Sequence, residues 1–144
     1  MIFRPAVLSD VFALAAIEAG QPRCAQWKEN GWKTELAETS ARVWCAEENG
    51  CVVGFLALRF VAGVGEILNV GVLATSLRKG VGRGLMEQAL AWVRAQGGGQ
   101  ITLEVGAHNL PAIKLYEQAG FTQVSVRKNF YAGNEDALLL GKTV

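Results

Sequence analysis

At 144 residues the chain is long enough to bury a core and fits one domain over 1–144, and 51% hydrophobic with 19% charged residues is a globular composition that argues against disorder. Fourteen basic and thirteen acidic residues, for a net charge of +1, supply no general field that would draw nucleic acid or an acidic membrane, so any anion must be held by local geometry. Three cysteines, Cys24, Cys45 and Cys51, cannot all pair and show no metal-ligand spacing, which fits a reduced, cytoplasmic setting without a metal.

Residues 1–5 read as a short strand. The stretch 6–19 is apolar, but Ser9, Asp10 and Glu18 interrupt it and no basic cluster of the leader-peptide kind precedes it, so it reads as a helix capped by Ser9 or Asp10 and running to about Glu18. A polar loop carrying Trp27 leads to a second helix over 30–38. Asn49-Gly50 signals a two-residue turn closing a hairpin of strands 42–47 and 52–61, in which Cys51 lies opposite Glu48 and Cys45 opposite Gly54. The apolar run 51–65 contains Arg59 and is too short to span a bilayer. Residues 66–73 form a third strand.

The most informative stretch follows it. In Leu77-Arg-Lys-Gly-Val-Gly-Arg-Gly-Leu-Met86, three glycines and three cations precede an amphipathic helix marked by Leu85, Met86, Ala89, Leu90 and Val93 and stopped by Gly97-Gly98-Gly99. This is an anion cradle: Gly80, Gly82 and Gly84 let main-chain N–H groups approach phosphate oxygens, and Arg78, Lys79 and Arg83 add countercharge. A dinucleotide fingerprint fails, because position 85 is leucine rather than glycine. Gly141-Lys142-Thr143 fails as a P-loop, because Asp136 stands in place of its first glycine.

The remaining elements are a strand at 100–105, a helix at 110–118 closed by Gly120, and strands at 121–129 and 136–140. The order βααβββαβαββ mixes parallel and antiparallel pairing. The strand, glycine turn, helix and next strand form a crossover that sets a ligand site at the sheet's edge, between strands 66–73 and 100–105. In strand 100–105 Ile101, Leu103 and Val105 share one face and Thr102 and Glu104 the other. Glu104 thus interrupts a buried-looking strand, where desolvation would raise its pKa toward the range of a general base; an ordinary polar-face residue is the alternative. Asn109 caps the following helix, with Pro111 in its first turn. Tyr116 projects from the stripe of Ala112, Ile113 and Ala119 with its hydroxyl toward the Glu104 strand. His108 is the only histidine. Trp27, Trp32, Phe130 and Tyr131 are either core anchors or the walls of a substrate slot.

Together the cradle Arg78-Lys-Gly-Val-Gly-Arg83, the preceding Asn69-Val-Gly-Val72, and Leu103-Glu-Val with Asn109-Leu-Pro-Ala-Ile-Lys-Leu-Tyr116 and Gly120-Phe121 resemble the GNAT superfamily of acetyl-CoA-dependent N-acetyltransferases. Trp27-Lys-Glu-Asn-Gly-Trp32, Leu103-Glu-Val-Gly-Ala-His-Asn109, Arg127-Lys-Asn-Phe-Tyr131 and Glu135-Asp-Ala137 are similar to the ribosomal-protein-alanine N-acetyltransferase branch, which commonly has other residues at Leu77, Gly106 and His108. The resemblance implies an α/β (α+β) fold with a mixed, mostly antiparallel central sheet flanked by helices. It implies acetyl-CoA as cosubstrate, with Val70, Gly71 and Val72 on its acetyl and pantetheine arm, Arg78, Lys79, Gly80, Val81, Gly82 and Arg83 on its pyrophosphate, and Asn109 and Tyr116 also in contact. By the same resemblance Glu104 is the general base, Tyr116 the general acid, and a protein or peptide N-terminal amine the acceptor, with Trp27, Trp32 and Tyr131 as substrate contacts. A small amine or lysine side chain is the second acceptor class. A non-catalytic acyl-CoA-binding module is the alternative outside catalysis.

Overall fold

The computed structural model describes residues 1–144. Seven strands form one sheet in the order β1-β2-β3-β4-β5-β7-β6. The strands are β1 (Ile2–Pro5), β2 (Ala41–Glu48), β3 (Cys51–Val61), β4 (Val64–Val72), β5 (Gln100–Gly106), β6 (Thr122–Tyr131) and β7 (Glu135–Thr143). Only β4 and β5 pair in parallel. The helices are α1 (Val11–Ala19), α2 (Lys28–Ala37), α3 (Val81–Ala95) and α4 (Leu110–Gln118). This is the expected mixed, mostly antiparallel α/β order, with short 3-10 turns added at Leu8–Asp10, Ala74–Ser76 and Ala132–Asn134. No helix is long and apolar enough to cross a membrane.

Helices cover both faces, which is why β3 is a continuous apolar run rather than an alternating one. Its Leu56 and Leu58 join Leu85, Met86 and Val93 of α3, Tyr116 of α4, and Ile101, Leu103 and Val105 of β5 in one core. Its Phe55 and Ala57 turn the other way, into a second core with Val11, Leu14 and Ile17 of α1 and Trp32 of α2.

Two bulges set the geometry. Ala46 pairs with Gly54 but Glu47 with Val52, so Val53 is an extra residue on β3. Cys51 therefore faces Glu48 as expected, whereas Cys45 faces Phe55 and not Gly54. Cys24 and Cys45 are buried, Cys51 is exposed, and all three are free thiols. On β4, Asn69 pairs with Ala57 and Ile67 with Leu58, leaving Leu68 as the extra residue. An extra residue bends its strand. The β4–β5 pairing stops at Ile67 and Leu103, just before that bend, so the carboxyl ends of the two strands part. They are the fourth and fifth of seven strands, and the gap opens within the sheet rather than at an outer edge.

Candidate active site

The gap has a wall of main-chain groups. Leu73 N donates to Val53 O at 2.8 Å, so Leu73 faces β3, and by strand alternation the N–H and C=O of Val70 and Val72 face the gap. Side chains of the α1–α2 loop reach them: Cys24 Sγ lies 3.3 Å from Val70 O, and the Gln21 carboxamide nitrogen donates to Val72 O. Gly71 lies between them, and a Cβ there would overlap the Phe55 ring.

Tyr116 approaches from the opposite face of the sheet. It is buried, with its ring edge-on to Phe121. Burial pushes its phenol up to about 12, with a smaller contribution from the neighbouring Cys24, so the group holds its proton at neutral pH. The Cys24 thiol is likewise pushed up to about 11, first by burial and then by the Glu18 carboxylate.

Glu104 differs from its expectation. Alternation along β5 holds, with Ile101, Leu103 and Val105 buried, but Glu104 is exposed rather than desolvated and pairs with Arg127 at 3.2 Å. The helices α1 and α2 lie over β2, β3 and β4, leaving the Glu104 face of β5 uncovered.

In the cradle, the three glycines have three separate jobs. Gly80 has φ of +80° and nothing within 4 Å of a would-be Cβ; it starts α3 by a left-handed turn. Gly82 gives Leu115 room. Gly84 is required by packing, because a Cβ there would overlap the Phe3 ring, and its N–H already donates to Gly80 O. The expectation that Gly84 serves ligand approach is therefore corrected. The first-turn N–H groups of Val81, Gly82 and Arg83 remain as the anion donors that a helix start offers. Lys79 pairs with Glu48 and Arg83 with Glu87, each at 3.6 Å, while Arg78 has no carboxylate within 4 Å. Asn109 occupies the N-cap position of α4, but its side chain makes no capping bond; only its main chain does, accepting from Ile113 N at 3.0 Å.

A second polar cluster surrounds Tyr131. Its hydroxyl is raised by partial burial and by Glu104 and Glu135, against Arg23 and Arg127. Glu135 Oε2 accepts from His108 N at 2.7 Å and from Arg23 Nη2 at 3.2 Å, and these donors, the His108 N–H foremost, hold its carboxyl below the usual range. Gly106 makes the arrangement possible: a Cβ there would stand 2.5 Å from Glu135 Oε2 and 2.7 Å from Arg23 Nη1.

Of the two readings left open for the four aromatics, a single shared slot does not form. Trp27 and Trp32 pair with each other, as do Phe130 and Tyr131. Trp32 is fully buried against Phe55, a core anchor, which removes it as a substrate contact. Trp27 lines a groove between α1 and α2 with Phe12 and Ala16, apart from the gap residues. Sequence reasoning passed over Gln21, Arg23, Cys24, Asn69 and Glu135 as site residues, and over the role of Glu18. Glu18 Oε1 accepts from Lys28 N at 2.6 Å and Trp32 Nε1 at 3.0 Å, and Oε2 from Asn69 Nδ2 at 3.1 Å, while Asn69 Oδ1 accepts from Ala25 N at 3.2 Å. This buried network ties the α1–α2 loop to β4. Its signal was present in Val11, Leu14 and Glu18, which put a carboxylate on the apolar stripe of α1.

Known proteins share this fold. The model of the acetyltransferase (GNAT) family matches residues 9–121. A [ribosomal protein bS18]-alanine N-acetyltransferase of Escherichia coli (strain K12) is 33% identical over 96 residues, 65% of this chain, and the match spans 65% of that relative's length. An N-alpha-acetyltransferase of Sulfurisphaera tokodaii is 32% identical over 118 residues, 73% of this chain and 71% of its own. The crystal structure of the ribosomal-protein-S18-alanine N-acetyltransferase from Escherichia coli superposes with a TM-score of 0.86 at 26% identity, covering 99% of this chain and 93% of that one.

Proposed function

We propose, since this chain belongs to the acetyltransferase (GNAT) family, that it is an N-acetyltransferase that moves the acetyl group of acetyl-CoA onto the α-amine of a protein N-terminus. The leading acceptor is the N-terminal alanine of a small-subunit ribosomal protein, the class named for the Escherichia coli relative. The family's chemistry sets aside a non-catalytic binding module. A lysine side chain or small amine is the competing acceptor.

The observation that carries this reading is the parting of β4 and β5, which leaves Val70 and Val72 main-chain groups facing the gap while their side chains pack on the core that holds the buried Tyr116. The residues fit a donor with a diphosphate and an amide-bearing arm. Val81, Gly82 and Arg83 N–H groups, with Arg78, Lys79 and Arg83 as countercharge and the Gly80 turn open above them, would hold the diphosphate. Val70, Gly71 and Val72 would align the arm, and Asn109 would contact it with the side chain that its helix does not use. Acetyl-CoA supplies an activated thioester.

Glu104 takes the proton that the amine must lose, directly or through solvent. An α-amine, with a pKa of about 8 against about 10.4 for lysine, needs only modest help, which suits an exposed carboxylate. Tyr116 gives its proton to the sulfur that departs as the new C–N bond forms and the C–S bond breaks. Tyr131, with Arg23 and Glu135, lines the acceptor's approach. The unit acts within 1–144 as one catalytic domain.

Steady-state kinetics with an alanine-starting peptide test the roles. Glu104→Gln and Tyr116→Phe should each lower kcat about 100-fold, the lower range for a proton-transfer group, while calorimetric affinity for acetyl-CoA is retained. Unchanged kcat in Glu104→Gln removes the base assignment. A loss confined to affinity in Tyr116→Phe leaves that residue a binding role only.

A further inference from the structure

Val72, one of the gap-facing residues of β4, is already paired. Gln21, two residues past the end of α1, donates its side-chain N–H to Val72 O, and Val72 N approaches its Oε1 at 3.4 Å. One carboxamide thus meets both polar groups of one residue, as a neighbouring strand would. It takes the side of β4 that β5 has left. The main chain of Gln21 is anchored without that side chain: its N donates to Glu18 O at 3.0 Å, and its O accepts from Cys24 N at 3.0 Å and Gln26 Nε2 at 2.8 Å.

We propose that Gln21 is an internal competitor of the acyl donor, a residue that sets the affinity for acetyl-CoA by holding Val72 until the donor's arm displaces it. The inference rests on the assignment of Val70–Val72 to that arm. The arm carries secondary amides, each with one N–H and one C=O, the same donor and acceptor that the Gln21 carboxamide presents. Binding therefore exchanges one set of hydrogen bonds for another instead of adding a set, and apparent affinity falls by the fraction of molecules in which Val72 is free. A residue that instead gripped the donor would act with the opposite sign.

Calorimetric titration of acetyl-CoA into the full chain and its Gln21→Ala and Gln21→Met variants reads that sign. Met keeps the length of the side chain without its amide. Both variants should bind about tenfold more tightly, equivalent to about 1.4 kcal/mol. Their ligand-free melting temperatures should stay level or drop, because a contact of the free protein has been removed. Wild-type binding with equal or weaker binding in the variants overturns the role of Gln21 and leaves the donor assignment standing. No binding by any of the three folded proteins overturns both.

Discussion

Tyr116 and Glu104, the proposed acid and base, lie on opposite faces of one sheet, and their surroundings differ accordingly. The phenol is buried and stays protonated, as a proton donor must. The carboxylate is open to solvent and paired with Arg127. Away from the site, Asp10 is a buried carboxylate whose titration bears on stability. It accepts from Arg4 Nη1 at 2.8 Å and from Val7 N at 2.7 Å, and the Arg4 guanidinium first of all holds its carboxyl below the usual range. A carboxyl lowered by folding stabilises the fold above its unfolded pKa of about 3.9, and that contribution is lost as pH falls through the lower folded value. Asp10→Asn should therefore cost about 2 kcal/mol near neutral pH, the scale of unpairing a buried charge-assisted bond. In urea titrations the gap from wild type should narrow below about pH 4. A gap that does not change with pH would show that the ion pair is not its source.

Among the elements, α3 carries the clearest division of labour. Gly80 turns the chain into the helix, and Gly84 lets the helix lie on Phe3 of β1. Gly84→Ala should destabilise the protein by about 2 kcal/mol through overpacking, and Gly80→Ala by about 1 kcal/mol through its left-handed backbone. Denaturant melts compare them. A Gly84→Ala protein of normal stability that fails to bind acetyl-CoA would return Gly84 to the ligand.

The same elements mark how far sequence reasoning reaches. Helices α3 and α4 and the Asn49-Gly50 turn were legible because helical periodicity and glycine punctuation are local signals. The position of Cys45 was not, because the bulge at Val53 depends on how two strands settle against each other. Glu104 was assigned to the correct face of β5, yet alternation says nothing about what covers that face, and α1 and α2 stop short of it. Trp32 and Tyr131 looked alike as aromatics that could be core anchors or slot walls; tertiary packing buried the first and left the second beside charged groups.

Across the whole molecule, function comes from a sheet that is continuous at one end and split at the other. The bulge at Leu68 releases β4 from β5, helices on both faces keep the two cores intact around the split, and Gln21 and Cys24 of the α1–α2 loop reach the β4 groups that face it. The Glu18–Asn69 network fastens the α1–α2 loop over that opening, and Arg23 carries the same loop across to Glu135. On the proposed reading, the acceptor enters between the loop and the β6–β7 end, on the Glu104 side of β5. Mass spectrometry of products formed from acetyl-CoA and peptides of varied N-termini, each also containing an internal lysine, tests this most directly. Acetylation on the α-amine, with alanine-starting peptides among the substrates, is the predicted result. Acetyl found only on lysine side chains, or no transfer by folded protein, would contradict it.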